Sequence, residues 1–334
     1  MKLAKHWDKK DGKAKCNLCY QSCLISPGKR GFCGVRENRK GKLYTLVYGK
    51  AVSANADPIE KKPLYHFYPG SRSFSIATVG CNFRCEFCQN FDISQARPEE
   101  ISGIDLPPER VVELTKEYGC QGIAYTYTEP TIFYEYTLDT AKLAKKQGLY
   151  NVYVTNGYIQ EKPLKELSKY LDAANIDLKG FDEEFYAKFC KAKLKNVLKC
   201  IMNYHKLGIW IELTNLIVPG VNDNPKKIRE MCEWVKDNLG TGVPLHFSRF
   251  FPHFKMTDKP PTNIETLIKA HRIAKEVGIK YVYIGNVPGG REDNTYCWKC
   301  NRLLIERFGF SVLENKIIKD KKCPKCKARI DVVP

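Results

Sequence analysis

A partial (β/α) barrel, α/β in class, with small cysteine-rich metal-binding segments at both termini is the fold this sequence predicts, and three observations predict it. Seven apolar, β-branched or aromatic runs alternate with helix-patterned segments along the middle of the chain. Eleven of the 15 cysteines fall into three groups, and two of these groups lie outside the alternating region, one at each end. Strand and helix in alternation require right-handed βαβ crossovers, hence a parallel sheet. The 334 residues therefore divide into a Cys-rich N-terminal segment (1–50), the barrel (51–289) and a zinc-ribbon-like C-terminal segment (290–334).

The N-terminal segment carries Cys16-x2-Cys19-x3-Cys23-x9-Cys33. Four thiolates so spaced fit a zinc ion or a second iron–sulfur cluster, and the spacing does not separate the two. The barrel strands are expected at 73–79, 122–127, 150–156, 174–179, 209–218, 244–251 and 281–286. Between them stand helical patterns such as PPERVVELTKEYG, TLDTAKLAKKQG, PLKELSKYL, the stretch Phe185–Leu207, PKKIREMCEWVKDNLG and NIETLIKAHRIAKEVG, several opening at Pro and closing at Gly. Cys120, Cys190, Cys200 and Cys232 stand alone among apolar or helix-patterned neighbours and read as packing residues.

Composition narrows the setting. The formal net charge is +18, which describes a lysine-studded surface or an acidic or nucleic-acid partner. No run of about 18 uncharged apolar residues occurs, and no apolar stretch follows the basic start MKLAKHWDKKDGK, so neither a membrane span nor a signal peptide is expected. The expectation is a cytoplasmic protein whose thiols stay reduced and available to metals.

In such folds the chemistry sits in the loops after the strands. Directly after the first expected strand comes GCNFRCEFCQN, that is Cys81-x3-Cys85-x2-Cys88. Three thiolates can ligate three corners of a cuboidal iron–sulfur cluster and leave the fourth iron open, which is what a cluster needs to bind and activate something. CNFRCEFC, including Phe87 before the last cysteine, resembles the signature of the radical S-adenosylmethionine (SAM) enzymes. The resemblance implies a barrel of the radical SAM type in which Cys81, Cys85 and Cys88 hold a [4Fe–4S] cluster that chelates SAM. It implies one-electron cleavage to methionine and a 5′-deoxyadenosyl radical that takes hydrogen from a substrate, with Phe87 near the adenine.

Over roughly residues 70–287 the chain is similar to the pyruvate formate-lyase activating enzymes. Their GGEP-like turn reads Tyr127-Thr128-Glu129-Pro130, which implies that Glu129 meets the SAM amino group. Their DTNG reads Val154-Thr155-Asn156-Gly157, with one acidic residue absent, and places Asn156 at the cofactor. Their D-x-K strand end is Asp177-Leu178-Lys179, which implies contacts to the SAM ribose and carboxylate, and His253 in FFPHF stands for a late-strand histidine. The opening CNLCYQSCLISPGKRGFCGVRENRKGKLY and the stretch DPIEKKPLYHFYPGS resemble the radical SAM component of the AmmeMemoRadiSam system, which adds AMMECR- and Memo-type proteins as expected partners.

At the other end, Cys297-x2-Cys300 and Cys323-x2-Cys326 have zinc-ribbon spacing, so the expected metal there is zinc. Such a ribbon grips a partner or caps the barrel, and removal of residues after Gly290 is expected to spare SAM cleavage. The leading expectation is an activase-like enzyme acting on a macromolecule, protein before RNA, with a low-potential electron donor. The alternatives are RNA modification, suggested by the charge, and a zinc-stapled binding module with no catalysis.

Overall fold

A computed structural model of the chain describes residues 1–287, 289–317 and 320–334. Its centre is an eight-stranded sheet whose strands follow one another in chain order. They are β1 (Ser53–Pro58), β2 (Arg72–Ala77), β3 (Gly122–Tyr125), β4 (Tyr150–Thr155), β5 (Ala173–Asp177), β6 (Trp210–Ile217), β7 (Leu245–Arg249) and β8 (Val282–Gly285). From β2 to β8 every pairing is parallel, and β1 runs antiparallel to β2. All seven runs legible in the sequence are strands. The eighth, β1, has a weaker signature: in SANADP only the small Ala54 and Ala56 alternate with polar residues, with no β-branched or aromatic side chain, and the strand is held by pairing with β2.

The connecting helices are α1 (Pro108–Glu117), α2 (Tyr134–Lys146), α3 (Glu161–Leu167), α4 (Leu194–Lys206), α5 (Pro225–Leu239) and α6 (Ile264–Val277). Asn224 and Asn263 cap α5 and α6, their side chains accepting from the backbone amides of Lys226 and Glu265. The pattern Phe185–Leu207 does not form one helix. A π turn over Tyr186–Cys190 ends in Lys191 at φ +56°, and α4 starts only at Leu194. Because both faces of a parallel sheet are covered, its strands are apolar along their length, and Ile76, Ile123, Val152, Ile176, Leu213 and Leu245 are buried.

The sheet stays open, because β1 and β8 are its two edges. The C-terminal segment is fastened there. Its antiparallel strands Thr295–Tyr296, Leu303–Phe308 and Ser311–Asn315 bring in Arg307, whose side chain is fully buried. Arg307 donates to the Tyr65 carbonyl (2.7 Å) and to Thr295 Oγ1 (2.8 Å), lies 3.5 Å from the buried Glu60 carboxylate and covers the Tyr65 ring. Val333 bonds to both His66 and Tyr68 through the backbone. These contacts weigh against the expectation of a removable appendage: its loss would leave the buried Glu60 carboxylate without its cation and the Tyr65 carbonyl without its donor. The N-terminal segment likewise shares the barrel's core, with Ala14, Leu18, Ile25, Val35 and Leu43 in the same apolar cluster as Ile76 and Ile123.

Candidate active site

β2 ends at Ala77 and delivers the three-cysteine loop to the C-terminal end of the sheet. The loop is pinned from several sides. Arg84 donates to the carbonyls of Cys81 and Phe83 (both 2.7 Å). The backbone amides of Arg84 and Glu86 bond to the carbonyls of Cys190 and Phe189 at the π turn. Cys88 Sγ lies 3.2 Å from Ser94 Oγ. Cys190, which the sequence marks only as packing, sits beside Cys85; a hydrogen bond with it, followed by burial, pushes the Cys85 thiol well above its ordinary pKa. Burial and the nearby Glu129 carboxylate push the Cys81 thiol up as well.

The three cysteines open onto a cavity of about 450 Å³. Phe87, Glu129, Asn156, Asp177 and Lys179 line it too, so eight of the nine residues singled out on the central array meet at one place. His253 does not: β7 ends at Arg249, the chain then runs outward, and His253 is exposed, while Ser248 of β7 lines the cavity instead.

Glu129 is buried and braces the next loop. Its Oε1 accepts from Thr131 N (3.0 Å) and Thr155 Oγ1 (2.8 Å), and its Oε2 from Asn156 N (2.8 Å). Burial raises its pKa against the pull of these donors. Asn156 in turn donates its side-chain amide to Asn82 Oδ1 at 2.7 Å, which ties the loop after β4 to the loop after β2. Asp177 and Lys179 pair at 2.8 Å at the end of β5, and the Phe87 ring, buried against Phe185, lies 5.9 Å below the Lys179 ammonium.

Sequence reasoning missed part of the wall. Tyr127 holds φ at +63°, a left-handed backbone ordinarily left to glycine. Its hydroxyl donates to Asp57 at 2.5 Å, and its carbonyl accepts from Asn90 at 2.8 Å. The buried Lys62 also reaches Asp57, at 2.7 Å. Burial pushes the Asp57 carboxyl up, but bonds from Lys62, Tyr127 and Lys61 outweigh it and hold it well below the usual carboxylate range. Burial lowers Lys62 to about 8. Phe310, from the C-terminal hairpin, lines the same cavity. No local motif signals these contacts, which join β1, the C-terminal hairpin and the loop after β3.

The residues present fit a cluster and SAM. The three thiols share one wall, and among the described residues no three of their ligand atoms converge within 4.8 Å, as they would around a single ion. Asn156 Oδ1 is buried with no hydrogen-bond partner, so the cavity wall keeps an unspent acceptor for a ligand N–H or O–H. The C-terminal cysteines are different. The sulfurs of Cys297, Cys300, Cys323 and Cys326 all lie within 4.8 Å of one another, with Cys297–Cys326 at 3.5 Å and Cys300–Cys323 at 3.7 Å.

Residues 75–235 match the family described as the radical SAM superfamily. The chain is 52% identical over 324 residues to an uncharacterised protein of Methanocaldococcus jannaschii, covering 97% of this chain and 96% of that one. It is 26% identical to the pyruvate formate-lyase-activating enzyme of Clostridium pasteurianum (51% of this chain, 71% of that one). It is 30% identical to the GTP 3′,8-cyclase of Helicobacter pylori strain J99 (70% and 76%). Among solved structures, a radical SAM methyltransferase from Sphaerobacter thermophilus superposes with a TM-score of 0.50 at 14% identity over 71% of each chain, a likeness of fold.

Proposed function

The chain belongs to the radical SAM superfamily, and on that premise we propose that it is an activase-like enzyme: it cleaves SAM reductively at a [4Fe–4S] cluster and uses the 5′-deoxyadenosyl radical to take hydrogen from a protein substrate. One observation carries the reading. Cys81, Cys85 and Cys88 share a cavity wall with Asn156, Asp177 and Lys179 at the C-terminal ends of the strands, where such folds do their chemistry.

The chain's own residues divide the work. Cys81, Cys85 and Cys88 would hold three irons, and among the described residues no other cysteine lines the cavity, which leaves one iron for a ligand. Lys179 suits a carboxylate, Asp177 a ribose hydroxyl, and the unspent Asn156 Oδ1 a donor. Phe87, backed by the stacked Phe185, presents apolar surface to the cavity that would keep water from the reacting centre. Glu129 orients Asn156 through its backbone amide.

A protein substrate is supported by the likeness to the pyruvate formate-lyase-activating enzyme and by exposed aromatic surface: Phe310 on the cavity wall, and Phe91, next to the lining residue Asn90, stacked on Phe254 at 4.7 Å. RNA is the second reading, favoured by the net charge of +18. The proposal extends to a low-potential electron donor, AMMECR- and Memo-type partners, a cytoplasmic setting and one zinc on the four C-terminal cysteines, whose sulfur spacing suits Zn–S bonds of about 2.3 Å. Among the described residues no helix is long and apolar enough to cross a membrane.

The test is anaerobic reconstitution with iron and sulfide, reduction with dithionite, and addition of SAM. The expected products are 5′-deoxyadenosine and methionine. A loaded, reducible cluster that leaves SAM intact would overturn the reading.

A further inference from the structure

The four N-terminal cysteines are not scattered over a surface. Cys16, Cys19, Cys23 and Cys33 surround one small cavity of about 20 Å³, together with Leu18, Ile25, Gly31, Arg36 and Asn82, and Cys16, Cys19 and Cys33 are buried. Four tetrahedral Zn–S bonds of about 2.3 Å bring the sulfurs to about 3.8 Å of one another and leave no room between them. The C-terminal four obey that geometry, at 3.5 and 3.7 Å. The N-terminal four do not: among the described residues no three of them converge within 4.8 Å, and the space of about 20 Å³ between them has room for about one water.

The rest of the wall describes what fills that space. Arg36 is buried, and its Nη1 donates to Cys16 Sγ at 3.3 Å, while its Nε has no partner. Asn82 is buried, and its Nδ2 has none either. Phe32 N donates to Cys23 Sγ at 3.4 Å. Two unpartnered buried donors on the wall of a cavity call for acceptors inside it. A zinc ion has none beyond the thiolates themselves, whereas bridging sulfides accept N–H hydrogen bonds. We propose that Cys16, Cys19, Cys23 and Cys33 ligate an iron–sulfur cluster, a second one in addition to that at Cys81, Cys85 and Cys88. Asn82 forms the partition between the two sites: it lines the N-terminal cavity, follows Cys81 in the chain, and accepts from Asn156 of the other wall.

The test does not depend on SAM chemistry. The full chain carrying Cys81→Ala, Cys85→Ala and Cys88→Ala is reconstituted anaerobically with iron and sulfide, with zinc present. Expected is retention of iron, acid-labile sulfide and visible cluster absorption, all lost on adding Cys19→Ala and Cys33→Ala, with one zinc per chain throughout. A folded triple variant, checked by circular dichroism, that holds no labile sulfide and either binds two zincs or leaves the N-terminal thiols free to alkylation would overturn the proposal. Metal counting on the unmutated protein decides the same question without any variant: more than four irons and one zinc per chain supports the second cluster, four irons or fewer with two zincs refutes it.

Discussion

Gly80 and the Cys33 carbonyl are in direct contact, because a Cβ placed on Gly80 would lie 2.7 Å from that oxygen and 2.7 Å from Val35 Cγ1. The residue that introduces the three-cysteine loop therefore abuts the last of the N-terminal cysteines, and its φ of +95° is one that L side chains rarely adopt. Gly80→Ala meets both obstacles. It should cost about 2 kcal/mol or more in stability, read as a lower urea midpoint with unchanged slope, and should lower metal content at both neighbouring sites. An alanine variant as stable as the parent would mean that the contact is slack.

Cys85→Ser should fold, since it exchanges one sulfur for an oxygen at the edge of the cavity and removes no bulk from the core around it, and should lose 5′-deoxyadenosine formation. Normal product formation by this variant, measured by chromatography after dithionite reduction, would remove Cys85 from the site.

Lys179→Met removes the cation beside Asp177 at the cavity wall. The expected result is about tenfold or greater weakening of SAM binding, the loss of a charge-assisted bond, with cluster absorption unchanged. Asp177→Asn should act in the same direction. Equal loss of the chromophore in either variant would make the pair structural.

His66 offers a pH test. Its Nδ1 donates to the Asp331 carbonyl, its Nε2 accepts from Tyr283, and burial lowers its pKa from 6.5 to about 4. The unfolded chain takes up the proton near 6.5 and the folded one only near 4, so stability is lost as pH falls through that window and no further below it. The shift corresponds to about 3 kcal/mol. His66→Gln should flatten the dependence of the urea midpoint between pH 6.5 and 4; an unchanged slope would assign it to other histidines.

Arg307→Leu leaves Glu60 as a buried carboxylate without its cation. Burial already raises the Glu60 pKa against the pull of Arg307. The variant should lose about 3–5 kcal/mol, and truncation after Gly290 should yield insoluble protein. Soluble, fully folded truncated protein would restore the C-terminal segment to the status of an appendage.

What the sequence determined by itself was short-range. The spacing of Cys81, Cys85 and Cys88 places three thiols in one loop whatever the rest of the chain does, and the two C-x2-C pairs read equally well as a closed site. The seven parallel strands were legible because burial on both faces makes such strands continuously apolar. Tertiary structure alone decided the rest. Both N-terminal candidates, zinc and a cluster, share one spacing, and the proposal of a cluster rests on the separation of the sulfurs and the unpartnered donors of Arg36 and Asn82, which only the folded chain displays. β1 owes its existence to β2, and Tyr127 keeps a glycine-like backbone while Asp57 holds its hydroxyl. Arg307, far from Glu60 and Tyr65 in the chain, packs into the region left open by an incomplete barrel. His253 falls outside the cavity because the path of the chain beyond β7 is set by packing. Spacing along a chain says which groups one ligand is able to reach locally; which distant side chains fill a gap in a sheet is settled by shape, charge and burial together.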